Sequence, residues 1–253
     1  MIRLSFLRLV CCVAIQAFAV VAQAAYPDKP VQYIIPFAPG GESDIAARLQ
    51  QQVFKVKYNQ ELIVSNKSGA GGALAWSQLN GMPGDGYMIM GVNLPHIVLQ
   101  PLEPGTQFKT EDITPVYFFH YTPDALIVLG NHVSGAMSYS TLAIQQKGKM
   151  RMLAVATEKR LPQFPDVPTF KELGLNWVDG AYRGIGVPKS TPPDVRKMVS
   201  DMMDVVNKDP ELRRRMTEGG FEVTDIGIDQ VPAFVKERSA DYLKAAKGLG
   251  MVK

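Results

Sequence analysis

Three times within the first hundred residues a short apolar run gives way to a turn of small residues and then to a helix-like segment, and no other feature of the chain restricts its fold so tightly. Residues 31–37 (VQYIIPF), 61–66 (ELIVSN) and 87–92 (YMIMGV) read as strands. The turns that follow are Ala38-Pro39-Gly40-Gly41-Glu42-Ser43-Asp44, Ser68-Gly69-Ala70-Gly71-Gly72 and Asn93-Leu94-Pro95-His96. Strand–turn–helix units of this kind build a parallel sheet in an α/β fold, because parallel neighbours require a crossover connection. Ser43 or Asp44 is placed to cap the first helix, which runs through Ile45, Leu49 and Val53.

Beyond residue 100 the pattern is less regular. Residues 113–119 and 125–129 read as two strands, 141–146 as a short helix and 150–157 as a buried strand. Three prolines between 161 and 168 require a loop. A brief strand at 184–188 follows, then helices. Thr191 is placed to cap one of them, with Pro192 in its first turn. Val195, Met198, Val199, Met202, Val205 and Val206 recur at helical spacing, as a core stripe does. Asp209-Pro210 opens a further helix that Gly219-Gly220 stops. Arg213-Arg214-Arg215 lies on it, and three consecutive helical residues point in different directions, which makes a solvated face rather than an anion clamp. Residues 221–226 read as a strand and 231–247 as a last amphipathic helix.

The amino terminus reads as an export leader. Arg3 and Arg8 precede a nearly unbroken apolar run at 9–21, and Ala22-Gln23-Ala24 offers small residues to a signal peptidase. The run is shorter than the ~20 residues of a membrane span. Cleavage after Ala24 places the mature chain in the periplasm and removes Cys11 and Cys12, leaving no disulfide, thiolate nucleophile or cysteine metal site. The net charge is +3, and two of those charges lie in the leader. That balance argues against nucleic acid as a main partner.

In an open α/β sheet the loops at the carboxyl ends of the strands line the ligand crevice. Glycines there let a ligand approach backbone N–H groups, and a helix amino terminus adds partial positive charge. Three such turns make a candidate anion site without a basic side chain, with Ser43 and Asn93 able to add hydrogen bonds. Each turn taken alone is equally an ordinary tight turn or helix cap. Asp44 fits a loop-fixing role. Glu42 is awkward beside an anion, and either points to solvent or selects a ligand that carries an amino group. The histidines, His96, His120 and His132, form no metalloprotease helix, and no Gly-x-Ser-x-Gly elbow occurs. Neither a catalytic residue, a metal nor a cofactor is expected.

Tyr26-Pro27-Asp28-Lys29-Pro30, Ile34-Ile35-Pro36-Phe37-Ala38-Pro39-Gly40-Gly41 with Asp44, Asn66-Lys67-Ser68-Gly69-Ala70-Gly71-Gly72, and Pro83-Gly84-Asp85-Gly86-Tyr87 together resemble the receptors of tripartite tricarboxylate transporters, the Bug family of extracytoplasmic solute receptors. Leu153-Ala154-Val155-Ala156, Lys159-Arg160, Pro165-Asp166-Val167-Pro168-Thr169 with Glu172 and Gly174, and Gly186-Val187-Pro188 through Pro192 continue the likeness over most of residues 26–253. It implies a periplasmic-binding-protein-like fold of type II, a two-lobed Venus flytrap. It also implies a monomeric, non-enzymatic receptor that takes a small carboxylate and delivers it to the membrane permease subunits of a transporter. By position, the ligand-binding residues are Ala38, Pro39, Gly40, Gly41, Ser43 and Asp44, then Ala70, Gly71 and Gly72, with Asn93 and His96. Glu42 departs from the family pattern, which has a small residue there, and Lys67-Ser68 replaces Arg-Pro.

A larger departure is an absence. In the family, the strand matching 125–129 leads into a second lobe, whereas here Gly130-Asn131-His132-Val133 passes to the end of that lobe. The second lobe is therefore expected to be truncated by about seventy residues, against the ~100 or more that a lobe needs. Lobe 1 comprises 25–124 and 184–253, and 125–183 is a remnant of lobe 2 with the crossover strands. The alternative reading is a degenerate member that binds no solute and acts, if at all, through a protein partner.

Overall fold

The structure is a computed structural model that describes residues 26–129, 135–146 and 148–251. The leader, its two cysteines, and the 130–133 passage with His132 lie outside them.

The parallel units form as their apolar periodicity requires. β1 (Val31–Ile35) leads into α1 (Glu42–Tyr58) and β2 (Leu62–Asn66). The second turn carries a short helix, α2 (Ala73–Trp76), before β3 (Met88–Leu94) and α3 (His96–Leu99). β1 lies between β2 and β3, parallel to both. Asn93 is therefore the penultimate residue of a strand and not part of a turn.

β4 (Thr114–Leu129) is one strand of 16 residues where the sequence suggested two. His120, Tyr121, Thr122 and Pro123 interrupt the apolar run that marks a strand, yet the backbone stays extended through them. Its first part pairs with β7 (Gly180–Val187) and β8 (Glu222–Ile226), its last with β5 (Gly135–Tyr139) and β6 (Met150–Val155). β4 thus crosses from one body of the sheet to another. Between β5 and β6 lies α4 (Ser140–Gln145); α5 (Pro193–Asn207) and α6 (Pro210–Glu218) separate β7 from β8, and α7 (Val231–Gly248) closes the chain. β7 begins four residues before the expected 184 because its first half carries Tyr182 and Arg183, which hide the strand in an apolarity count.

The main body has a core on each face of its sheet. Tyr33, Ile35, Phe54, Tyr117, Phe119, Ile185 and Met203 pack under α1 and α5, and Trp76, Met90, Val92, Leu94 and Phe118 pack on the other side. The stripe on α5 splits: Val199, Met202 and Val206 are buried, whereas Met198 and Val205 reach solvent. That helix starts one residue late, with Pro192 as its N-cap and the Thr191 hydroxyl buried without a partner. Asp209 caps α6 by accepting the N–H groups of Glu211 at 3.1 Å and Leu212 at 3.2 Å. Arg213, Arg214 and Arg215 diverge as expected, to Asp225, to Glu211 with Glu218, and to Gln52.

The smaller body has its own core of Ala125, Ile127, Ala143, Met152, Val155 and Leu161. It docks on the main body through α4: the Ser140 hydroxyl donates to the Gly220 carbonyl at 3.3 Å, and Ile144 fills the space above Gly220 so closely that a Cβ there would meet its Cδ1 at 2.3 Å.

Candidate functional site

The carboxyl ends of β1, β2 and β3 face the same way, so the turns after them form one rim. At the first turn Gly40 takes φ +77°, a left-handed conformation that costs glycine nothing. Ala38, Pro39, Gly40 and Gly41 are exposed. Gly41 is the N-cap of α1 and supplies no side chain, so neither Ser43 nor Asp44 caps the helix. Asp44 instead fixes the loop. Its buried Oδ2 accepts the Gly40 N–H at 2.9 Å and the Arg48 Nε–H at 3.0 Å. Burial opposes its charge, but these bonds hold the carboxyl below the usual range.

Glu42 does not point to solvent. Its carboxylate turns inward and pairs with the guanidinium of Arg183 on β7, whose side chain is only 6% exposed. The same oxygen lies 3.4 Å from the Thr122 hydroxyl of β4, and the other accepts the Thr141 hydroxyl of α4. Arg183 also donates to the Ala181 carbonyl at 3.1 Å, to the Thr122 hydroxyl, and through Nε to the Ser43 oxygen at 3.3 Å. Asn93, 3% exposed, donates to that Ser43 oxygen at 3.5 Å.

The strand registers explain this assembly. Asn93 pairs with Arg183 across β3 and β7, and Arg183 pairs with His120 across β7 and β4. Directly opposed residues of antiparallel strands project to the same face. One row of an otherwise apolar surface therefore carries an amide, a guanidinium and an imidazole. His120 is fully buried between the rings of Phe119 and Phe221, and neither of its ring nitrogens has a partner. Burial, and then the charge of Arg183, push its pKa well below the usual value, so it is neutral at physiological pH. His96, on α3, stands edge-on to Phe37 at 5.7 Å and is lowered by the same two causes.

The second turn is built differently. Gly69, Ala70, Gly71 and Gly72 all take positive φ. The Gln100 amide donates to the Gly71 carbonyl at 2.7 Å. A cavity of about 550 Å³ opens beside it, lined by Ala70, Gly71, Leu74, Gln100, Glu103 and Gln107 among others. The structure thus brings Ser43 and Asn93 together, with His96 within the field of Arg183, leaves Ala70 and Gly71 on a neighbouring hollow, and buries Gly72 against the Trp76 ring.

Sequence reasoning missed Arg183, Thr122 and Thr141. A lone arginine inside a run of small and apolar residues (180–188) and a lone glutamate inside a small-residue turn are the signal available. Each charge sits where the local pattern calls for none, and two opposite misfits can cancel in space.

Among the described residues there is no group of metal-ligating side chains, and no helix is long and apolar enough to cross a membrane.

Comparison with known proteins adds four observations. The family profile described as tripartite tricarboxylate transporter family receptor matches residues 124–250, half of the chain. A Cupriavidus necator protein, the UPF0065 protein in the gbd 5′ region, is 23% identical over 293 residues, with 90% of each chain covered. The fold is similar to that of the periplasmic binding protein BugD, with a TM-score of 0.79, 22% identity, and coverage of 89% of this chain and 99% of that one. It is also similar to MatC of Rhodopseudomonas palustris, solved with bound malate, with a TM-score of 0.75, 20% identity, and coverage of 86% and 98%.

Proposed function

The chain belongs to the tripartite tricarboxylate transporter receptor family, whose members are solute receptors and not enzymes, and from that premise we propose that it is a periplasmic receptor for a small carboxylate. The leader at 1–24 directs export, and cleavage follows Ala24. The ligand meets the rim of Ala38, Pro39, Gly40, Gly41, Ser43, Asp44, Ala70, Gly71, Gly72, Asn93 and His96. The receptor acts as a monomer and hands its ligand to membrane permease subunits. The observation that carries this reading is the buried Arg183 at the mouth of the rim, held by Ser43 and already paired with a carboxylate. A guanidinium fork is shaped for carboxylate, and the malate bound to MatC is a carboxylate of that kind.

The division into a lobe 1 of 25–124 and 184–253 and a truncated lobe 2 is supported by the separate small core beyond Asp124, although β7 extends the main sheet back to Gly180. Truncation is supported by a match over 293 residues, more than the 253 of this chain, so the relative has residues with no counterpart here.

Calorimetric titration with malate, adipate, citrate and acidic amino acids tests the reading. At Gly41, with ordinary negative φ, a Cβ would meet only the Ala38 carbonyl at 3.4 Å. Gly41→Trp is therefore expected to fold as the parent does and to lose binding. Binding unchanged by a tryptophan there would place the ligand elsewhere.

A second reading, a member that no longer binds solute and contacts only a protein partner, is favoured by one feature. The space under the first turn is filled by the chain's own Glu42 and Thr141.

A further inference from the structure

We propose that Glu42 is a tethered occupant of the cleft's carboxylate position, so that a free carboxylate binds only by displacing it. The inference rests on reading this cleft as the receptor's anion site. Three donors from three elements converge on the Glu42 carboxylate: the Arg183 guanidinium of β7, the Thr122 hydroxyl of β4 and the Thr141 hydroxyl of α4. That is how a protein surrounds a ligand rather than how a surface ion pair forms. Arg183 is held independently of Glu42, by Ser43 and the Ala181 carbonyl, so the cationic seat persists when the carboxylate leaves. The imidazoles near it, His96 and His120, are neutral, and Arg48 at the same turn is engaged by Asp44, so the charge at this seat is that of Arg183.

The tether is built to move. Glu42 is the first residue of α1 and follows two exposed glycines, and the space where a Cβ of Gly40 would lie has no atom within 4 Å. Rotation about the side-chain bonds of Glu42 carries the carboxylate out toward solvent and leaves in place the loop that Asp44 fixes. Because Glu42 shares a chain with its seat, it competes at an effective concentration of roughly millimolar or above. It therefore weakens every free carboxylate without changing which carboxylate fits best. The departure of Glu42 from the small residue typical of the family thus becomes a built-in competitor.

The test is chemical rescue in the full exported chain. Glu42→Ala leaves a hole of the right size for acetate over Arg183. The variant is expected to melt below the parent, and acetate is expected to raise its melting temperature saturably, while sodium chloride of equal ionic strength does not. The parent should show no saturable acetate response, and Glu42→Ala/Arg183→Met should show none. If Glu42→Ala fails to fold in chloride, recovery of folded protein on refolding in acetate serves as the readout. An acetate response no larger than that to chloride, or one that survives loss of Arg183, overturns the proposal. The receptor reading fails separately. A parent that binds a dicarboxylate no more weakly than Glu42→Ala does sinks the tether and keeps the receptor. Acetate rescue in a chain whose parent binds no acid keeps the tether and favours the non-binding reading.

Discussion

The Glu42–Arg183 pair concentrates most of the electrostatic risk of this molecule in two residues. Neither charge is well hydrated, with Arg183 6% and Glu42 17% exposed at the side chain. Removing one partner of a buried pair strands the other, at a cost of about 3–5 kcal/mol, whereas replacing both with apolar groups is often close to neutral. Arg183→Met alone is therefore expected to lower the unfolding free energy by about 3 kcal/mol, and Glu42→Leu/Arg183→Met by about 1 kcal/mol or less. Urea denaturation of the four proteins of that cycle measures the coupling. Additive single effects would mean that the two charges do not share one site. At this scale the sequence was only half legible. Glu42 stood out because a carboxylate is wrong for an anion-binding turn. Arg183 did not, because its partner is 141 residues away in the chain and no local pattern links them. Asp44 was legible as a loop-fixing residue, since a short acceptor near a glycine turn has backbone donors within reach.

Among the elements, β4 has the most consequence for pH behaviour. Where it leaves the main body, the Asp124 N–H donates to the Asp179 carbonyl at 3.1 Å, and the Asp124 carbonyl accepts the Ala156 N–H at 2.8 Å. Three crossing segments meet there. Burial, and then the charge of Asp179, push Asp124 up to about 6. A carboxyl raised in the folded state binds its proton more tightly than the unfolded chain does. Stability is therefore expected to rise as pH falls from 7 through about 6, and to level off near the unfolded carboxylate range of about 4. Thermal melts from pH 7.5 to 4.5 measure this. Asp124→Asn should flatten the rise, and an unchanged slope would assign it to other groups. Asp44 works in the opposite direction, because its depressed pKa stabilises the fold above the carboxylate range and is lost only in stronger acid. Elements made by periodicity, such as β1 to β3, α1 and α7, could be read from the sequence. The single β4 strand could not, because its middle residues pair across the sheet rather than presenting an apolar face, and pairing leaves no mark on hydropathy. Nor could the capping of α1, where a glycine holds the position that Ser43 or Asp44 was expected to take.

For the molecule as a whole, the small body matters less for its own size than for where it sits. α4 brings Thr141 onto Glu42, and Ser140 and Ile144 onto Gly220, so the small body lies closed on the rim with the space beside Arg183 filled by Glu42. Under the proposed displacement, a receptor that signals by closing around its solute releases Glu42 first. Ligand capture and opening of the rim are thus parts of one equilibrium. The rim was legible in the sequence through its glycines; its occupation was not, because it depends on how the two bodies dock. The most direct measurement is the melting temperature of the purified, leader-free chain with and without a panel of di- and tricarboxylates, acidic amino acids and aromatic acids. At a hundredfold excess over the dissociation constant, one acid is expected to add about 2.7 kcal/mol of stability and raise the melting temperature by about 5–10 °C. A cooperative melt that no acid moves, in a chain whose Glu42→Ala variant is equally unmoved, would contradict carboxylate capture at this cleft.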